Sequence, residues 1–278
     1  MKFSILIANY NNGKYFQECY QSLLSQDYPN WEAVILDDCS TDNSVEVMKN
    51  IFKDDARFRF YQNEKNEGVG FTKGKLIELA QGEICGFVDP DDAILPTAIK
   101  KATAIFEKEK DVVLTYSRLI KCDENLQPLA ENKSANQIPN GNRYFFNCPI
   151  VINHFVCFRR KTYFETEKID PNLKISEDQD LYLKLYERGK VRFIDDANYL
   201  YRFHAGGISQ NDNKQKSREF WGEVIFKAMK RRNLKVIHGR KTPQNYRNSE
   251  EIFELLHYQN SIPYRIKKKL IVFFQNFF

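Results

Sequence analysis

Ile84-Cys85-Gly86-Phe87-Val88-Asp89-Pro90-Asp91-Asp92 is an apolar run of strand length that stops at three carboxylates grouped around one proline. A strand buried on both faces reads as an uninterrupted apolar run, and in open α/β sheets ligands bind beyond the carboxyl ends of such strands. Proline ends the pairing and holds the acidic turn extended. Three crowded carboxylates repel one another unless a cation joins them. Hard oxygen ligands of this kind suit Mg²⁺ or Mn²⁺, commonly shared with substrate phosphates. The turn therefore reads either as a metal-diphosphate site or as a solvated acidic turn capping the next helix.

Working upstream, Phe3 to Ala8 has the length of a first strand, and Asn9-Tyr10-Asn11-Asn12-Gly13 is dense in turn formers. Phe16, Cys19, Leu23 and Leu24 recur at helical spacing until Asp27-Tyr28-Pro29-Asn30 stops the helix. Trp31 to Leu36 reads as a second strand, with Asp37-Asp38 at its carboxyl end. Asn43 with Glu46 then offers a cap for a helix carrying Val47, Met48, Ile51 and Phe52. A strand over Phe58 to Tyr61, the turn Asn66-Glu67-Gly68-Val69-Gly70, and a helix through Gln81 closed by Gly82 complete the alternation. Strands and helices alternating at this spacing predict a parallel sheet covered on both faces. In such a sheet, the polar turns after the first, second and fourth strands share one edge.

Downstream, Ala98, Ile99, Ala102, Ile105 and Phe106 predict another helix, and Val112 to Tyr116 another strand. Between about Lys121 and Asn147 the chain is irregular, read as a hairpin near Asp123-Glu124-Asn125 followed by a mobile loop able to close over a substrate. Val156 to Phe158 predicts a strand, leading into a basic helix at Arg159. Ser176 with Gln179 has the spacing of a capping box, which puts Glu177 and Asp178 in a helix's first turn, where acids are common for dipole reasons alone. Val191 to Ile194 and Asn198 to Phe203 read as two strands, followed by His204 and a glycine loop through Ser209. A polar helical region starts near Gln210. The final stretch, from Tyr264, sets Lys267-Lys268-Lys269 beside Leu270, Phe273 and Phe274. That mixture suits a helix lying in a membrane interface, and equally one docked on the protein's own core or on a second copy as a homodimer.

Composition sets bounds. The chain has 278 residues and a formal net charge of +5, suited to anionic ligands and far from the dense basic patches of a nucleic-acid binder. The six cysteines show no CxxC pair or His-interleaved metal spacing and read as reduced thiols of a cytosolic protein. No secretory leader and no membrane-spanning run is evident, which gives a cytoplasmic expectation, extended by the C-terminus to the inner face of a membrane.

Five motifs then stand in order: Ser4-Ile5-Leu6-Ile7-Ala8-Asn9-Tyr10-Asn11, Leu36-Asp37-Asp38-Cys39-Ser40-Thr41-Asp42, Asn66-Glu67-Gly68 through Gly82-Glu83, Asp89-Pro90-Asp91-Asp92, and Ser176-Glu177-Asp178. Over its first 210 or so residues the chain resembles glycosyltransferase family 2. The resemblance implies an α/β GT-A fold, with a mostly parallel Rossmann-like sheet flanked by helices and a helical C-terminal extension. It divides the chain into a GT-A domain over 1–210, with a nucleotide-sugar half 1–110 and an acceptor half 111–210, and an extension over 211–278. It also implies a nucleotide-sugar donor, a UDP-sugar by its base contacts, Mg²⁺ or Mn²⁺, inversion at the anomeric carbon, and a glycan or lipid-linked acceptor. Carried over by position, Ala8 and Tyr10 flank the base and Asp38 hydrogen-bonds a uracil-type ring. Lys73 lies near the diphosphate, where relatives often have arginine. Asp91 contacts ribose or metal, Asp92 ligates the metal, His204 approaches metal or diphosphate, and Asp178 is the catalytic base.

The residue types suit that chemistry. A carboxylate-held cation stabilises a departing diphosphate, and a carboxylate across the sugar takes the acceptor's proton. A sugar-phosphate nucleotidyltransferase is the rival enzyme, but the first loop lacks the glycine-rich run such enzymes share. A non-catalytic nucleotide-sugar-binding subunit is the rival from another class, and it disagrees with the presence of Asp91, Asp92 and Asp178 together.

Overall fold

A computed structural model describes residues 1–204 and 214–277. The glycine loop after His204 and the boundary expected near residue 210 lie outside the described residues. Strands β1 (Phe3–Asn9), β2 (Trp31–Asp37), β3 (Phe58–Gln62) and β4 (Ile84–Phe87) run parallel in the order β3-β2-β1-β4. Helices α1 (Phe16–Leu24), α2 (Ser44–Phe52) and α3 (Val69–Leu79) connect them. Register aligns Asn9 with Asp37, and Leu6 with both Val34 and Phe87, so the ends of β1, β2 and β4 open on one edge.

Side chains alternate across a strand, so an unbroken apolar run fills two cores. Phe3, Ile5, Ile7, Ala33 and Ile35 pack with Phe16, Cys19, Leu23 and Met48 on one face. Leu6, Val34 and Leu36 pack with Leu76 and Ile77 on the other. The cap expected from Asn43 is not formed. Asp42 accepts the Ser44 N–H at 2.9 Å instead, and α3 ends two residues before the expected Gln81.

Beyond β4 the sheet becomes mixed. The short strand β5 (Ala93–Ile94) is followed by α4 (Ala98–Lys108), β6 (Val112–Cys122) and β7 (Pro128–Asn132), the last two forming the expected hairpin. Then come β8 (Cys157–Arg159), α5 (Arg160–Phe164), α6 (Glu177–Tyr186) and β9 (Lys190–Arg202). β8 lies antiparallel between β4 and β6, while β9 runs parallel to β6. The two strands expected between Val191 and Phe203 are one, bent by register shifts along β6.

The irregular stretch after β7 is not a loop held off the body: Ile138, Phe145, Phe146, Val151 and Ile152 are buried in the core beside α6. Helices α7 (Lys214–Arg231), α8 (Ser249–Leu256) and α9 (Ile262–Phe277) follow. Val224, Ile225, Ala228 and Met229 of α7 and Ile252 of α8 join that same core. All six cysteines are unbonded.

Candidate active site

The edge where β1, β2 and β4 end forms one wall of a cleft of about 1100 Å³, large for a single small ligand. Ala8, Tyr10, Asp38, Lys73, Asp91, Asp92, Asp178 and His204 all line it. The structure thus brings together every residue that the sequence marked, from six separate stretches of chain.

The β2 end is built by its two aspartates. Asp37, fully buried, accepts Asn9 Nδ2 at 2.7 Å and the Ser40 N–H at 2.9 Å, locking the β1 turn to the β2 turn. Asp38 accepts Asn63 Nδ2 at 2.8 Å and the N–H groups of Glu67 at 2.9 Å and Gly68 at 2.8 Å. Gly68 has φ +90°, a conformation that disfavours a side chain, and this turns its N–H onto Asp38. A carboxylate has about four acceptor positions, so three internal bonds leave room for one ligand donor. Tyr10, 44% exposed at the rim, offers a free ring face.

The acidic turn is closed by a pairing that local sequence does not announce. β5 pairs antiparallel with β9, Ala93 opposite Leu200, which carries Arg202 and His204 back onto the turn. Asp91 Oδ2 then lies 2.7 Å from His204 Nε2. Asp92, 2% exposed, accepts the Arg202 N–H at 2.8 Å, and Arg202 Nε donates to the Asp91 carbonyl at 2.6 Å. Asp92 thus uses one carboxylate oxygen to hold the end of β9 while still lining the cleft, and the Asp91–His204 pair stands beside it. Burial pushes the Asp91 carboxyl up, the charge of Asp89 adds to this, and the His204 bond opposes it. Asp89, whose position in the motif carried no separate role, also lines the cleft.

These residues fit a hard divalent ion. One carboxylate and one imidazole nitrogen meet at 2.7 Å beside two further carboxylates. Among the described residues no group of three or more His, Cys, Asp or Glu side chains is placed to hold a metal ion by itself. Mg²⁺ and Mn²⁺ ordinarily complete such open sets with phosphate oxygens and water.

The opposite wall is the start of α6. Gly70 makes this approach feasible: its N–H donates to the Leu173 carbonyl at 3.2 Å, and a Cβ there would lie 2.6 Å from that oxygen. With α3 and the 170–173 turn in contact, Lys73 Nζ reaches Glu177 Oε1 at 2.6 Å. Burial works against the Lys73 ammonium, but Glu177, Asp89 and Asp178 together hold it firmly charged. The expected diphosphate neighbour is thus a cation bridging the two acidic walls.

The expected capping box does not form. Ser176 adopts a left-handed conformation, φ +66°, with no side-chain cap, and Gln179 turns elsewhere. Asp178 Oδ1 accepts the Gln179 N–H at 2.7 Å, while Gln179 Oε1 accepts Asn147 Nδ2 at 2.7 Å. Asn147, fully buried, also accepts the N–H groups of Val151 and Ile152 at 2.9 Å each. A buried polar network inside the irregular segment therefore braces the helix turn that carries Asp178. Burial raises the Asp178 carboxyl to about 6; Glu177 adds to the shift and Lys73 opposes it. A carboxylate tuned there is a competent proton acceptor near neutrality.

His154 and α7 residues Ser217, Arg218 and Trp221 complete the lining. His154 stacks on Tyr199 at 4.6 Å, and burial lowers it to about 4, so it is neutral. None of these carried a local signal. The irregular stretch expected to close over a substrate, 121–147, does not line the cleft; Ile150 and His154 just beyond it do.

Comparison with known proteins bears on the family and the fold. The model of the family "Glycosyl transferase family 2" matches residues 4–165. The chain is 28% identical over 243 residues to a chondroitin synthase of Escherichia coli, covering 84% of this chain and 33% of that protein. It thus spans about a third of the synthase's length. Among solved structures, S. aureus TarS 1-349 in complex with UDP-GlcNAc superposes with a TM-score of 0.71 at 22% identity, covering 94% of this chain and 74% of that one. Mannosyltransferase PcManGT from Pyrobaculum calidifontis, in complex with GDP-Man and Mn²⁺, gives 0.61 at 12% identity, covering 93% and 68%. Both structural likenesses speak to the GT-A fold.

Proposed function

Since the chain belongs to glycosyltransferase family 2, we propose that it transfers a sugar from a nucleoside-diphosphate donor, a UDP-sugar, to a hydroxyl of a glycan or lipid-linked acceptor, inverting the anomeric carbon. One observation carries the reading: Tyr10 and Asp38, the pair Asp91–His204, the cation Lys73 and the raised carboxyl Asp178 share one cleft. Those groups answer the needs of a nucleotide base, its diphosphate and an acceptor oxygen.

Tyr10 would stack on the base, Ala8 would line it, and Asp38 would accept from its ring N–H. Asp92, Asp91 and His204 would hold a divalent ion, which when bound supplies Lewis-acid stabilisation of charge on the diphosphate. Lys73 Nζ holds positive charge beside the same position without the directional fork of an arginine. Asp178 accepts the proton of the attacking hydroxyl at a carboxylate oxygen, as the acceptor approaches the sugar face opposite the leaving group. Arg218 and Trp221 of α7 line the same cleft, which supports treating 211–278 as an extension that completes the site. A cytoplasmic setting and a polysaccharide or lipid-linked product are part of the same proposal.

Calorimetry with UDP, with and without Mn²⁺, followed by a screen of nucleotide sugars for release of nucleoside diphosphate, tests it. Mn²⁺-dependent UDP binding together with turnover of at least one donor supports the reading. Binding without turnover of any donor, with or without oligosaccharide acceptors, would favour a non-catalytic sugar-nucleotide binder.

A further inference from the structure

Helix α9 is docked the wrong way round for a helix of a water-soluble protein. Tyr264, Lys268 and Val272, spaced four apart, form its half-buried side. Tyr264 packs edge-on against Tyr258 at 5.1 Å, and Gln275 exchanges two hydrogen bonds with the Asn140 backbone, at 2.9 and 3.0 Å. Ile262, Ile266, Leu270, Phe273 and Phe274 are each more than half exposed. At 3.6 residues per turn these five fall within an arc of about 120°. Exposed Lys269 and Arg265 border one side of the arc and exposed Lys267 the other. No acid occurs anywhere in the helix.

From this arrangement we infer that α9 seats the protein on an anionic lipid bilayer, its Ile-Leu-Phe stripe at the level of the acyl boundary and its bordering lysines and arginine among the headgroups. A contiguous exposed apolar stripe has to be covered by something. The bordering charges choose the cover. A second copy meeting this face about a two-fold axis sets the Lys267 and Lys269 rows of each chain near the same rows of the other, with no acid on either helix to relieve them. An acidic headgroup layer complements both borders at once. The helix lies on the surface, because among the described residues no helix is long and apolar enough to cross a membrane.

The test is flotation of the full chain with phosphatidylcholine vesicles, with and without phosphatidylglycerol, alongside sedimentation velocity without lipid. The readout needs no turnover, so its result is independent of the transferase reading. The chain should float with the anionic vesicles, weaken with added salt, and lose roughly fivefold in partitioning for each of Lys267→Gln and Lys269→Gln. Leu270→Asp, at an exposed position, should abolish flotation while leaving the melting midpoint and the sedimentation coefficient unchanged. The inference is overturned by an absence of flotation with anionic vesicles, by flotation indifferent to Leu270→Asp, or by a dimer that Leu270→Asp splits, which would assign the stripe to a second copy.

Discussion

Replacing Asp178 with asparagine should make the protein more stable and less active at once, and the size of each effect follows from one environment. The Asp178 carboxyl lies at about 6 in the folded chain against an ordinary value of 3.8. A group raised on folding costs nothing below its unfolded value, where both states are protonated, and its full cost appears above the folded value. Two units or so, at about 1.4 kcal/mol each, amount to about 3 kcal/mol of destabilisation at pH 8, and Lys73 already moderates it. Asp178→Asn removes that cost, so urea unfolding at pH 8 should show a gain of up to about 3 kcal/mol, shrinking to nothing near pH 4. Transfer should fall about 10²- to 10⁴-fold, the usual contribution of a positioned base, with UDP affinity unchanged. In the wild type, transfer should decline about tenfold per pH unit below about 6, as Asp178 takes up its proton. Donor release and stability curves on the two proteins decide the matter. An asparagine variant with full transfer rate, or one less stable at pH 8, would refute the assignment of Asp178 as a strained base.

Other residues give independent checks. Asp91→Asn or His204→Ala should weaken Mn²⁺-dependent UDP binding by roughly 10–100-fold or more in calorimetry. Asp92→Ala should weaken the same binding and also lower folding stability, by about 1–3 kcal/mol, because it leaves the buried Arg202 N–H without its acceptor. Lys73→Met strips Glu177 of its 2.6 Å partner and should cost about 3–5 kcal/mol by denaturant unfolding. A loss below about 1 kcal/mol would mean the pair behaves as a solvated one. Gly70→Ala forces a Cβ against the Leu173 carbonyl and should cost about 1–3 kcal/mol, with transfer reduced as the α3 and α6 walls move apart.

Much of this was legible in the chain. The mostly apolar runs at Phe3 and Trp31, interrupted only by Ser4 and Glu32, and the one that ends at Asp89, specified buried parallel strands, because only a strand covered on both faces tolerates such a run. Parallel strands end on one edge, so polar turns at Asn9, Asp37 and Asp89 had to meet there, and Asp38, Asp91 and Asp178 could be named before any distance was known. What the sequence could not determine was pairing between distant segments. A two-residue strand such as β5 has no periodicity to detect, yet its pairing with β9 brings the Arg202 N–H to Asp92 and gives Asp91 its histidine 113 residues away. The Asn147–Gln179 brace, the Lys73–Glu177 bridge and the neutral His154 likewise depend on contacts across 30 to 100 residues. The composition of α9 allowed its apolar stripe to face core or solvent equally well; only the docking of Tyr264 and Gln275 fixed which side looks outward. Local physics writes element type and burial into neighbouring residues, whereas the partners of a buried charge or an exposed face exist only once the chain has closed on itself.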